Sequence, residues 1–161
     1  MNTPSNILVG CSDRVVWVRV DGKGSWVNSA GLKEFARAMI ARGYREFVFD
    51  LRRCPVMDST FMGTLAGIAL QLRELGEGVL KTAHLNARCR ELLRNLGLDR
   101  LFVIDDNAAP SPNGEALESH PDRTEQAQTM LEAHESLVEA APENLTKFKD
   151  VLEYLKQDLA E

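Results

Sequence analysis

Apolar and polar positions along the chain follow two periods. Residues 6–10 and 14–20 read as strands; VVWVRV at Val15–Val20 is rich in β-branched and aromatic side chains, and Ser12-Asp13 supplies a tight turn before it. Asp21-Gly22-Lys23-Gly24 forms a flexible turn, and Asn28-Ser29 offers a helix cap. Leu32, Phe35, Ala36, Met39 and Ile40 then recur at helical spacing until Gly43 ends the helix. Residues 46–51 are a short strand with apolar side chains on both sides of its alternation, as a central strand carries. A helix is predicted over 60–75, where Gly63, Thr64, Ala66 and Gly67 permit close packing on a sheet. Residues 79–82 form a further strand, Asn86 caps a helix running to Asn95, Gly97 stops it, and 101–104 is the last strand. The predicted order is ββαβαβαβ: an α/β fold with a mixed, largely parallel sheet and packed helices.

Residues 105–122 are rich in Pro, Asp, Asn and Ser and read as a linker. Beyond it, Ala127, Met130, Leu131, Leu137 and Val138 mark one amphipathic helix, and Pro142 starts a second. In that second helix Leu145, Phe148, Leu152, Leu155 and Leu159 alternate spacings of three and four. This seam is too short to establish a coiled coil, so a hairpin folding back on the domain is expected over self-association. The expected division is a domain at 1–105, a linker at 106–123 and a C-terminal helical extension at 124–161.

Charge adds an asymmetry. Residues 1–104 carry 15 Lys and Arg against 10 Asp and Glu, whereas 105–161 carry 4 against 14, giving +5 and −10 within the net −5. A basic body joined to an acidic tail implies that the tail docks on its own body, meets a basic partner, or solvates an outer helix face. The chain is 44% hydrophobic and 27% charged, ordinary for a soluble globular protein. No apolar run approaches the roughly 20 residues of a membrane helix, and MNTPSNILVG lacks the basic and apolar regions of a signal peptide. Three widely spaced cysteines (Cys11, Cys54, Cys89) without a CxxC pair suit free thiols, and the cytoplasm is the expected location.

Chemistry concentrates at 47–65, FVFDLRRCPVMDSTFMGTL. A strand ends in Asp50, a polar turn follows, and Asp58-Ser59-Thr60 opens a helix. Unpaired N–H groups and the dipole at a helix start favour negative charge, so a phosphate on Ser59 or an anionic partner would be received there. The plainer reading is a capping hydroxyl. Asp50 and Asp58 lack the third ligand that a metal site needs, and Cys54 has no histidine near it in sequence. His84, His120 and His134 are scattered. No phosphate-binding glycine loop, nucleophile elbow or basic–aromatic interleaving is present, so neither an enzyme nor a nucleic-acid binder is indicated, and no cofactor is called for.

The element order together with Asp50, LRRCPVM, Asp58-Ser59-Thr60-Phe61-Met62-Gly63 resembles a STAS domain of the anti-sigma factor antagonist family. LLRNLGLDRLFVI at 92–104 echoes that family's closing segment. The resemblance spans residues 6–105. It implies a non-enzymatic bacterial signalling protein that binds an anti-sigma factor acting as a serine protein kinase. Ser59 is then the phosphorylated residue, and a phosphatase resets it. Phosphate would add roughly −1.5 to −2 charges beside Asp58 and oppose a partner fitted to the neutral hydroxyl. The implied binding face is Asp58, Ser59, Thr60, Phe61 and Met62, flanked by Trp26 and Asn28. Phe61 replaces the family's first glycine and either anchors a partner or covers the hydroxyl. Gly24-Ser25-Trp26-Val27-Asn28 replaces the family's lead into its first helix and lacks its acidic side chain. The alternative is a constitutive STAS scaffold, or a transporter- or stress-complex subunit, without a phosphoswitch.

Overall fold

The VVWVRV run forms β2 (Val15–Val20), whose alternate side chains are fully buried, and it organises the sheet around itself. It pairs antiparallel with β1 (Ile7–Ser12) across the tight turn at Asp13-Arg14, where both residues take positive φ. On its other side it pairs parallel with β3 (Glu46–Asp50), followed by β4 (Val79–Ala83) and β5 (Val103–Ile104), also parallel. The computed structural model describes residues 6–108 and 114–160. Within it a sixth strand, β6 (Glu115–Ala116), closes the far edge antiparallel to β1, giving the order β5-β4-β3-β2-β1-β6. The region expected as plain linker therefore contributes a short strand that covers β1.

Helices α1 (Trp26–Ala41), α2 (Ser59–Glu74) and α3 (Ala87–Asn95) connect the parallel strands. Their inward side chains build one core with the sheet, including Leu32, Phe47, Phe49, Phe61, Leu65, Leu72 and Leu98. The start of α1 corrects the expected cap. Ser25 is the cap, accepting from the Val27 N–H, and Asn28 sits at the third helical position, returning a bond to the Ser25 N–H. This reciprocal pair satisfies two donors that an unfinished helix end leaves unpaired.

The acidic tail forms two helices, α4 (Arg123–Ala140) and α5 (Asn144–Ala160). Asp122 caps α4 by accepting from the Glu125 N–H. At the hairpin corner the buried Asn144 donates to the carbonyls of Leu96 and Leu137, and Lys147 donates to Asn95, tying the corner to the end of α3. Leu152 and Leu155 of the expected seam are buried, whereas Leu145 is exposed. α4 lies along α2 and also touches α1. α2 is consequently buried nearly all round in its first half, as a helix with apolar or small residues on every face must be.

Candidate functional site

Asp58 organises the junction. It caps α2 through Oδ1, which accepts from the Phe61 N–H at 2.8 Å, while Oδ2 accepts from the Trp26 N–H at 2.9 Å. One carboxylate thus serves the N-termini of both α1 and α2, where the two helix dipoles favour its charge. The loop ahead of it is stitched to the 22–24 turn by bonds from Gly22 N to Arg53 O, Gly24 N to Val56 O and Asp58 N to Gly24 O. Asp50 turns the chain out of β3, its Oδ1 accepting from the Arg52 N–H. Among the described residues no group of three or more His, Cys, Asp and Glu side chains is arranged to hold a metal ion.

With Asp58 as cap, the Ser59 hydroxyl has no capping duty. It stands half-buried at the first position of α2, 3.0 Å from Nε2 of His134 on α4. His134 is 4% exposed; its Nδ1 lies 2.7 Å from the Met130 carbonyl, and its ring meets Phe148 of α5 edge-on. A carbonyl only accepts, so Nδ1 carries a proton, and in the neutral ring Nε2 accepts from the Ser59 O–H. His134 was not among the sequence-derived site residues. Its one sequence signal is its place between Met130 and Leu137 at helical spacing, a polar residue within an apolar stripe.

Phe61 turns into the core and packs away from the surface. Its side chain is fully buried and packs on Gly24, where a Cβ would come within 2.6 Å of the ring. The substitution of phenylalanine for the family's glycine is thus absorbed inward by a glycine across the junction. Met62 and Thr60 are buried as well. Asn28 uses its amide on Asn6 and Lys23 and its carbonyl on Ser25. Of the expected binding residues, Trp26 remains outward at 43% exposed, beside Val27 at 60%.

Gly63 and Gly67 lie on the face of α2 turned to α4, not to the sheet. A Cβ at Gly63 would sit 2.3 Å from the Ala133 carbonyl oxygen, and one at Gly67 3.0 Å from the Ser136 hydroxyl. Glycines at these positions let the two helices approach closely over a stretch that begins at Ser59. The contact is closed on the α1 side by Glu132, which receives Lys33 at 2.6 Å and Arg37 at 3.3 Å. Burial opposes ionisation of Glu132, but Lys33 and then Arg37 outweigh it and hold the carboxyl below its ordinary value.

Beneath the same loop, Cys54 and Cys89 are buried side by side. Cys89 donates to the Cys54 carbonyl, and Cys54 donates to the Val56 carbonyl. The Cys89 thiol's hydrogen bond lowers Cys54 to about 7 against burial, and the same partnership pushes Cys89 up.

The STAS domain family model matches residues 6–110, and the chain belongs to that family. Comparison with curated protein sequences gives no match. Among solved structures, the fold resembles a candidate anti-sigma factor antagonist from Thermotoga maritima, with 20% identity, 63% of this chain and 86% of that one covered, and a TM-score of 0.58. It also resembles the anti-sigma factor antagonist SpoIIAA in its unphosphorylated form, with 16% identity, 63% and 89% covered, and a TM-score of 0.56. An anti-sigma factor antagonist from Mycobacterium paratuberculosis shares 24% identity over 63% and 85% of the two chains, with a TM-score of 0.55. Among the described residues no helix is long and apolar enough to cross a membrane.

Proposed function

We propose that this STAS-domain chain is an anti-sigma factor antagonist of the bacterial cytoplasm. It binds an anti-sigma factor that is also a serine protein kinase, through the β3–α2 junction and the adjoining start of α1. Phosphorylation of Ser59 ends that binding, and a phosphatase restores it. The observation that carries this reading is the division of labour at the junction: Asp58 caps α2 and also accepts from the first N–H of α1, which Ser25 caps. Ser59 is thereby left as a hydroxyl at a helix N-terminus whose loss or modification leaves the helix capped. A phosphate there gains from the helix dipole, and its charge beside Asp58 repels an interface fitted to the neutral side chain. Trp26 and Val27, held outward by the Asp58 bond to the α1 N-terminus, supply the exposed apolar contact that such an interface needs.

The test is co-purification from the native cell with tagged wild type, Ser59→Ala and Ser59→Asp chains, followed by mass spectrometry of Ser59. The proposal expects a kinase-type partner on wild type and Ser59→Ala, its loss on Ser59→Asp, and phosphate on wild-type Ser59. Equal retention by wild type and Ser59→Asp, with no phosphate under any growth condition, would establish the constitutive scaffold instead.

A further inference from the structure

Building on the reading of Ser59 as the switch at the start of α2, we propose that the partner's contact extends along the adjoining face of α2 and that α4 is a resident competitor for that face. The face with Gly63 and Gly67, bordered by Lys33 and Arg37, receives a helix with small side chains at its centre and a carboxylate at its edge. α4 fills it in the closed chain, and an anti-sigma partner presenting such a helix must displace α4 to reach Ser59.

Three observations carry this. The first is steric. The Ala133 backbone lies against Gly63, and His134 bonds to the half-buried Ser59 hydroxyl, so a second helix cannot occupy the glycine face while α4 is in place. The second is the chemistry of the contact. Its centre includes a serine–histidine bond, and its edge is an ion pair of Glu132 with Lys33 and Arg37, a more polar make-up than the sheet–helix core. Leu137 of α4 also joins the domain's apolar core, so a displacing helix must replace that apolar contact as well as the polar ones. The third concerns Thr129 on α4, 2% exposed, whose hydroxyl makes no hydrogen bond to the protein, so lifting α4 breaks none there. Displacement also releases the Asn144 and Lys147 bonds to the end of α3. Strand pairing in the sheet is not asked to change, and the incoming helix covers the α2 face that α4 leaves.

The full-length chain is tested with a fluorescein-labelled peptide of residues 122–141, read by fluorescence anisotropy. Two variants open the hairpin by different means. Ala133→Glu places a carboxylate against the Gly63 backbone, and Glu132→Lys repels Lys33 and Arg37 from a partly exposed position that folding tolerates. Both are checked by circular dichroism. The opened chains are expected to bind the peptide at least roughly tenfold more tightly than wild type, because apparent affinity scales with the fraction of competent molecules. A peptide bearing Glu132→Lys is expected to bind more weakly to the Ala133→Glu chain. Folded opened variants that fail to bind, or wild type that binds equally well, would overturn the proposal. In a parallel arm the chains are incubated with native-cell extract and ATP, and phosphate on Ser59 is followed. Faster modification of the opened chains supports the competitor, and equal non-zero rates overturn it. Phosphate on none of them would refute the Ser59 switch, leaving the peptide titration to decide the role of α4.

Discussion

Replacing Gly63 by alanine isolates the α2–α4 contact with one methyl group. The new Cβ would stand 2.3 Å from the Ala133 carbonyl oxygen and 2.6 Å from its carbon. Real Cβ atoms essentially never come within 3.0 Å, so the helices must part by at least 0.7 Å (3.0 − 2.3) at that point. The obstacle is backbone and cannot rotate away. Overpacking of this kind costs about 1–3 kcal/mol, and stretching the Ser59–His134 bond costs about 1 kcal/mol more. Alanine returns about 1 kcal/mol through its higher helix propensity. The net expectation is a loss of about 1–3 kcal/mol, or a fall in Tm of roughly 3–10 °C for a chain of this size. Gly10→Ala is the control, since its nearest neighbour would be an ordinary 3.9 Å away. Thermal unfolding by circular dichroism, with hydrogen exchange of α4 amides, makes the comparison. A Gly63→Ala chain as stable as wild type, or more stable, with α4 protection intact, would refute the packing of α4 on α2.

Further expectations concern other parts of the junction. Asp58→Ala removes the cap of α2 and the acceptor for α1 together and should cost about 1–3 kcal/mol in urea unfolding; a loss below about 0.5 kcal/mol would show that the shared cap is not formed. Native protein should present one thiol, Cys11, to dithiobis(nitrobenzoate) and three after denaturation, because Cys54 and Cys89 are buried; rapid reaction of all three in the folded chain would contradict the packing under the loop. Glu132 has a folded-state pKa below its unfolded value. Its contribution is therefore complete above the unfolded value and lost as pH falls through the folded one. Glu132→Gln should flatten the acid limb of a stability–pH curve; an unchanged limb would remove the carboxylate from the docking of α4.

Much of this architecture is readable from local signals. β2 and β3 announce themselves through β-branched and aromatic runs, and Asn86 marks the start of α3 through its cap. The start of α1 misleads by three residues because Asn28 has cap chemistry yet serves as the answering side chain of a capping box led by Ser25. β6 has no periodicity to betray it: two residues pair with β1 only because the returning chain passes that edge. The site divides in the same way. Asp58 and Ser59 stand out from the strand–turn–helix pattern, but the environment of Ser59 depends on a histidine 75 residues away, brought over it by a hairpin. Gly63 and Gly67 signal a close approach without saying to what; the approach is to α4. Phe61 shows the limit most clearly, since its inward turn depends on Gly24 being free of a side chain.

The account turns on Ser59 and its face being available to a partner only when α4 is away. A full-length Cys11→Ser, Gly67→Cys, Ser136→Cys chain addresses this directly. A Cβ at position 67 would lie 3.7 Å from that of residue 136, within the span of a disulfide. The measurement is retention of the co-purifying partner on the oxidised chain, before and after dithiothreitol in the same sample. Retention that appears only after reduction is the predicted result, and equal retention by the bridged and reduced chains would contradict it.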